Sequence, residues 1–212
     1  MHLSIRLVVV AVLLLIFLRM LWDARHGGGR PAVIGLVMVA AGVLGILEFR
    51  AQAAEQRFGM VASEIAGRSV SVRCEGFFGR LTAVGPELGT VRFNADGTPA
   101  DRTDLVAEAC DDLKRYAGGD HRPRVATATA VHVLAHEAIH LLGVQNEAET
   151  ECRSLQHTTR AAMLLGANRR DATALTRLYW RAVYPNLPAA YRTPDCRDGG
   201  PFDENPESAE FP

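Results

Sequence analysis

Apolar positions crowd the first fifty residues and then thin into amphipathic patterns. Residues 3–22 are apolar except for Ser4, Arg6 and Arg19, and 7–18 carry no charge. Residues 32–47 form a second uncharged run of Val, Ile, Leu, Gly and Ala. Each run approaches the roughly 20 residues a helix needs to cross a bilayer core, with Arg6 and Arg19 reaching for its edges. A cleaved signal peptide is the rival for the first run. After Leu18, however, the chain reads Arg19-Met-Leu-Trp-Asp, with no small-x-small site, and Trp22 suits a membrane interface. In the second run, Gly35 and Ala41-x-x-x-Gly45 allow close helix approach. The pattern therefore predicts two transmembrane helices, an anchor over residues 1–50.

Beyond the anchor the periods shorten. Residues 48–67 read as a helix leaving the membrane, 69–74 and 89–94 as strands, and 94–99 as a turn. A helix is expected over 104–116, stopped by Gly118-Gly119, and a buried one over 125–142, stopped by Gly143. Asn146 can cap the next helix, with Glu149 as its capping-box partner, running to about Leu165 before Gly166. Asp171 is expected to cap another that ends near Tyr184 and Pro185. The fold class expected is α+β, mostly helical. Residues 51–195 form the soluble domain and 196–212 an irregular, frayed tail.

Composition adds little to this picture. The chain has 212 residues and a formal net charge of −1, with mixed signs throughout, so no nucleic-acid partner is expected. Lys114 is the only lysine, which reads as codon bias. Cys74, Cys110, Cys152 and Cys196 form no C-x-x-C pair, and their even number and wide spacing fit two disulfides in an oxidising compartment. Three pairings are open; joining sequence neighbours gives Cys74–Cys110 and Cys152–Cys196. Arg19, Arg25 and Arg30 at the connection between the apolar runs put it in the cytoplasm by the positive-inside rule. The soluble domain is then extracytoplasmic, on a multi-pass cell-membrane protein.

The chemistry sits in the buried helix as His136-Glu137-Ala-Ile-His140. Histidines at i and i+4 share one helix face and can hold a single zinc ion from one side. Glu137 is turned about 100° away, beside the open metal position, where it can act as general base. Three ionisable groups in an apolar helix cost several kcal/mol unpaired, and zinc gives a reason to keep them.

A third ligand is sought in the next helix. Glu149 shares a solvated face with Arg153, Gln156 and Arg160 and is set aside. Glu147 and Glu151 are i, i+4 neighbours that can both face the first helix across Gly143. Glu147 is assigned as metal ligand and Glu151 as the carboxylate orienting a ligand histidine; helical phase leaves the reverse open. Oxyanion donors could come from Tyr184, Tyr191 or His157. His132 reads as a packed neighbour in the same helix and His121 as a loop residue.

These residues resemble the zincin superfamily of metallopeptidases. His136-Glu-Ala-Ile-His140 followed by Glu147-x-x-x-Glu151 is similar to the gluzincin pattern, in which a glutamate on a following helix completes the zinc site. Membrane-associated gluzincins often read Glu-x-x-x-Asp there, so Glu151 is a departure. His140-x-x-Gly143-x-x-Asn146 also resembles the metzincin motif, but asparagine is a poor ligand and no Met-turn is recognisable. The run Tyr191 to Gly200 looks like the ending of uncharacterised bacterial membrane proteins. The resemblance implies a zincin-like fold and a zinc-dependent peptidase acting on a peptide or protein substrate. A non-catalytic, zinc-stabilised binding or structural domain is the alternative.

Overall fold

The computed structural model describes residues 5–25, 31–75, 88–208 and 211–212, which fall into two compact units, Met1–Ala54 and Glu55–Pro212. The protein is mostly helical with one small sheet.

The first unit contains α1 (Ile5–Arg25) and the leading part of α2 (Pro31–Ala66). Both helices turn large apolar side chains outward: Leu15 is 65% exposed and Leu36 70%. Outward apolar surface on this scale marks a face meant for something other than water. The Gly27–Gly29 turn, Arg30 and the side chain of Arg6 lie outside the described residues. Pro31 occupies the first turn of α2, where its missing N–H costs nothing. The expected second run and the helix after it are one 36-residue helix, whose residues 46–58 contain neither Gly nor Pro. Gly67, with φ 64°, ends it in the left-handed conformation.

By length and apolar character two helices among the described residues could cross a membrane: Gly35–Ala66 and Val125–Leu142. They differ in setting, since 11% of the most apolar 18-residue window of the first and 72% of the second is buried within the protein. The second is a core helix.

The second unit builds its core from the end of α2 (Phe58, Val61, Ala62, Ile65), a three-stranded sheet and four further helices. Strands β1 (Ser71–Cys74), β2 (Gly89–Phe93) and β3 (Pro99–Leu105) run in the order β1-β3-β2. The β1–β3 pair is parallel and the β2–β3 pair antiparallel, so among the described residues β2 is an edge strand. Strand β3 is a correction to the sequence reading. In the polar stretch Pro-Ala-Asp-Arg-Thr-Asp-Leu that reading gives Pro99 to a turn and Asp104 and Leu105 to a helix, with no element over 100–103. Two flanking strands supply its ladder, and Thr103 and Leu105 alternate inward to full burial. Helix α3 consequently begins at Ala107 and runs to Ala117.

Helix α4 (Val125–Leu142) lies at the centre, against α3, α5 (Glu147–Leu164), α6 (Arg169–Ala182) and the sheet. Apolar residues all round predict such a position. Leu134, Ile139 and Leu141 are fully buried, each worth about 1.5–3 kcal/mol. Asn146 caps α5 as expected, accepting from the Glu149 N–H at 2.9 Å, but Glu149 pairs with Arg153 and does not close the box. The cap of α6 is Asn168, which accepts from the Asp171 N–H; Asp171 is inside the helix. Short 3₁₀ turns follow at Tyr184–Asn186 and Ala189–Tyr191.

The disulfides are Cys74–Cys110, joining β1 to α3, and Cys152–Cys196, joining α5 to the tail. Closing loops of 36 and 44 residues restrains the unfolded chain by roughly 4 kcal/mol each in the chain-entropy account. The tail is irregular but fastened rather than frayed. Gln156 Nε2 donates to the Phe202 carbonyl, and the Glu204 N–H donates to Gln156 Oε1, both at 2.8 Å.

Candidate metal centre

Helix α4 presents His132, His136 and His140 at four-residue steps, one above the other. Ring centroids of His136 and His140 are 4.7 Å apart, and each residue is 7% exposed. Both open onto a cleft of about 460 Å³.

The turn after α4 orients His140. Gly143 adopts φ 110°, and its N–H and that of Val144 return to the His140 and Ile139 carbonyls. That geometry carries the Val144 carbonyl back over the helix end, where it accepts from His140 Nδ1 at 2.7 Å. His140 Nδ1 therefore holds the proton, and Nε2 presents its lone pair to the cleft.

The turn also delivers α5, whose first residue is Glu147. Its Oε2 lies 3.2 Å from His136 Nε2 and 3.4 Å from His140 Nε2. Glu151, one turn on, occupies the other side of the same ring, with Oε2 3.0 Å from His136 Nδ1. Its Oε1 accepts from the Tyr179 hydroxyl at 2.8 Å. The two glutamates are thus divided between the two nitrogens of His136. His136, His140 and Glu147 form one group that could hold a metal ion, and His132, His136 and Glu151 form another.

Electrostatics follow the contacts. Burial opposes charge on His136, but hydrogen bonds to Glu147 and Glu151 outweigh it and push the imidazole up to about 9. Burial and the nearby His136 charge hold His140 below its ordinary value. The hydrogen bond from His136 lowers Glu147, against the pull of burial. Burial would raise Glu151, but His132 and His136 hold it well below the carboxylate range. Burial, followed by the Glu151 charge, raises the Tyr179 phenol. Without a metal, a proton on His136 supplies the positive charge this cluster requires. At His140 the neutral Nε2 lone pair faces a carboxylate oxygen at 3.4 Å, an arrangement a cation relieves. Two imidazole nitrogens and one carboxylate oxygen are a suitable donor set for zinc.

Glu137 faces the same cleft from the next position around α4 and is 4% exposed. The Thr103 hydroxyl of β3 lies 3.2 Å from its Oε2 and 3.1 Å from the Thr90 carbonyl, two acceptors that share its single proton. On β2, an added Cβ at Gly89 would come within 2.6 Å of Glu137 Oε1, so only glycine leaves room for this carboxyl group.

The remaining expectations divide. Tyr191 lines the cleft, its ring 6.1 Å from that of His136. The Tyr184 hydroxyl is near the Thr193 backbone, and His157 pairs with Glu204 at 2.6 Å on the tail, both outside the cleft. His121 packs against Tyr116 in its loop, as expected. His132 is more than a packed neighbour. Thr158 donates to the Ser154 carbonyl, so its oxygen accepts from His132 Nδ1 at 2.9 Å. His132 Nε2 lies 3.0 Å from Glu151 Oε2, outside hydrogen-bond geometry, and its ring stacks on Tyr179 at 3.8 Å. The four-residue step from His132 to His136 was a usable sequence signal for this. Thr103, Gly89 and Tyr179 left none, because they come from distant segments.

Compared with known proteins, the chain matches no family model, no curated protein and no solved structure.

Proposed function

We propose that this chain is a membrane-anchored zinc peptidase of the zincin type, with His136, His140 and Glu147 as metal ligands and Glu137 as general base. The observation that carries the reading is the convergence of two Nε2 atoms and Glu147 Oε2, with Glu137 in the same cleft. Glu151 orients His136 through Nδ1, and the Val144 carbonyl orients His140, so both rings are fixed before any ion arrives. The likeness to gluzincins, in which the earlier glutamate of such a pair binds the metal, supports the same division.

A zinc ion held there would supply Lewis acidity and lower the pKa of water. The chain's own part is then to place that water and move its proton. Glu137, held by Thr103 and confined by Gly89, accepts the water proton and returns it to the leaving amine. The edge strand β2 offers backbone groups along which an extended peptide can lie. Of the three oxyanion candidates Tyr191 lines the cleft, which supports it as the donor. The outward apolar faces of α1 and α2 support a bilayer anchor, and the two disulfides support an extracytoplasmic second unit.

The alternative is a non-catalytic, metal-stabilised domain, favoured by the closed burial of the His132, His136 and Glu151 group. One pair of variants separates the readings. The wild-type chain should carry about one zinc, and His140→Ala should lose it. Glu137→Gln should keep the metal and lose peptide cleavage. Unchanged cleavage by Glu137→Gln would remove the general-base role, and zinc retained by His140→Ala would remove the site.

A further inference from the structure

Glu151 Oε2 is flanked by two imidazole nitrogens, His136 Nδ1 and His132 Nε2, each 3.0 Å away. His136, His132 and Glu151 are 7%, 1% and 2% exposed, and their ligand atoms lie within 4.8 Å of one another. Two of the three are aimed from behind. Thr158 accepts from His132 Nδ1, while Tyr179 stacks on the His132 ring and donates to Glu151 Oε1. Donors held by partners of their own are the mark of a built site.

His132 carries the deciding atom. With its proton on Nδ1, Nε2 turns a lone pair toward a carboxylate oxygen where water does not reach. Nothing donates to that nitrogen, and a proton placed on it would not point at Oε2. The contact is therefore unfavourable as it stands, and a hydrogen bond does not mend it. A metal ion does. At bond lengths of about 2.1 Å to both atoms, an ion stands about 45° off the line that joins them. A lone pair that misses the oxygen suits that position.

Charge points the same way. One zinc at His136, His140 and Glu147 leaves Glu137, Glu147 and Glu151 with one negative charge uncancelled. A second divalent ion, entering as His136 Nδ1 releases its proton to solvent, brings the set to neutrality.

We propose that His132 Nε2, His136 Nδ1 and Glu151 Oε2 form a second metal site, with the His136 ring bridging a cleft ion at Nε2 and an inner ion at Nδ1. The inner ion replaces the hydrogen bond by which Glu151 orients the ring, and its enclosed ligands make it structural in kind. Because it must displace a proton, it binds after the cleft ion and more weakly; a chain carrying one zinc holds it in the cleft. Two imidazoles and a carboxylate suit zinc or copper(II). The proposal goes beyond the peptidase reading and shares His136 with it.

The test is zinc uptake by the full chain in detergent, measured by equilibrium dialysis at rising free zinc. Wild type should take up about two ions per chain, in two steps. His132→Phe keeps a ring to stack on Tyr179 but offers no nitrogen, and should lose only the weaker step. His140→Ala should lose the tighter step and keep the weaker, visible at excess zinc. Copper(II) reports the bridge without any substitution: copper ions joined by one imidazolate couple, so the EPR signal of the first equivalent should fall as the second binds. Wild type that stops at a single zinc, lost in His140→Ala, overturns the inference and leaves the cleft site. A single zinc lost in His132→Phe and kept in His140→Ala removes the cleft site, and the peptidase reading with it, and leaves the inner site. Two steps that both survive in His132→Phe, or copper signals that simply add, overturn the inference.

Discussion

Gly89 on β2 lies directly against the carboxyl group of Glu137: a methyl at that glycine would sit 2.6 Å from Oε1 and 2.7 Å from Cδ. Glu137 is buried and held from the other side by Thr103, so it cannot yield without changing its aim. Gly89→Ala should therefore lower kcat for peptide cleavage by about 100-fold, the effect expected of a misplacement near 1 Å, while zinc content stays unchanged. Steady-state kinetics beside metal analysis checks this. Full activity in the alanine variant would mean that Glu137 does not act from the observed position.

The division of Glu147 and Glu151 between the nitrogens of His136 gives a graded expectation. Glu151→Gln keeps a hydrogen-bonding group against Nδ1 and should weaken zinc binding about 10- to 100-fold, as outer partners of ligand histidines do. Glu147→Gln removes a charged donor and should weaken it further. Chelator competition with each variant decides the order. The reverse ranking would transfer the ligand role to Glu151.

The raised His136 makes the stability of chelator-stripped protein depend on pH. Its folded value of about 9 exceeds the ordinary 6.5, so the protonated ring stabilises the fold fully below about 6.5. That contribution is lost as pH climbs through 9, and amounts to about 3 kcal/mol at most. From the acid side, Glu147 and Glu151 are lowered, so the same contacts are present above the ordinary carboxylate range and lost as pH falls through the folded values. Urea titrations of stripped protein should show falling stability between pH 6.5 and 9. The zinc-loaded protein should not show that alkaline loss, because the metal takes the place of the proton. A flat profile for the stripped protein would mean that His136 does not carry the charge of the cluster.

Much of the molecule could be read along the chain because it depends on local spacing. Apolar periodicity and glycine stops located α4, the Asn146 cap located the start of α5, and four-residue steps put His136 with His140 and Glu147 with Glu151. The neighbour pairing of the cysteines is the one present. Strand β3 could not be read this way: its residues have poor strand character, and pairing on both sides makes the strand.

Spacing on one helix says which side chains share a face, but which atom meets which partner depends on how two helices cross. The crossing of α4 and α5 beyond Gly143 put Glu147 at the paired Nε2 atoms, sent Glu151 to Nδ1, and drew His132 into the network. Gly89, Thr103 and Tyr179 reached the site through sheet pairing and helix packing, from segments 28 to 48 residues away from the groups they contact. Charge, size and period are properties of residues in order. Aim and enclosure, which turn three side chains into a candidate centre, come from surfaces that meet only when the chain is folded.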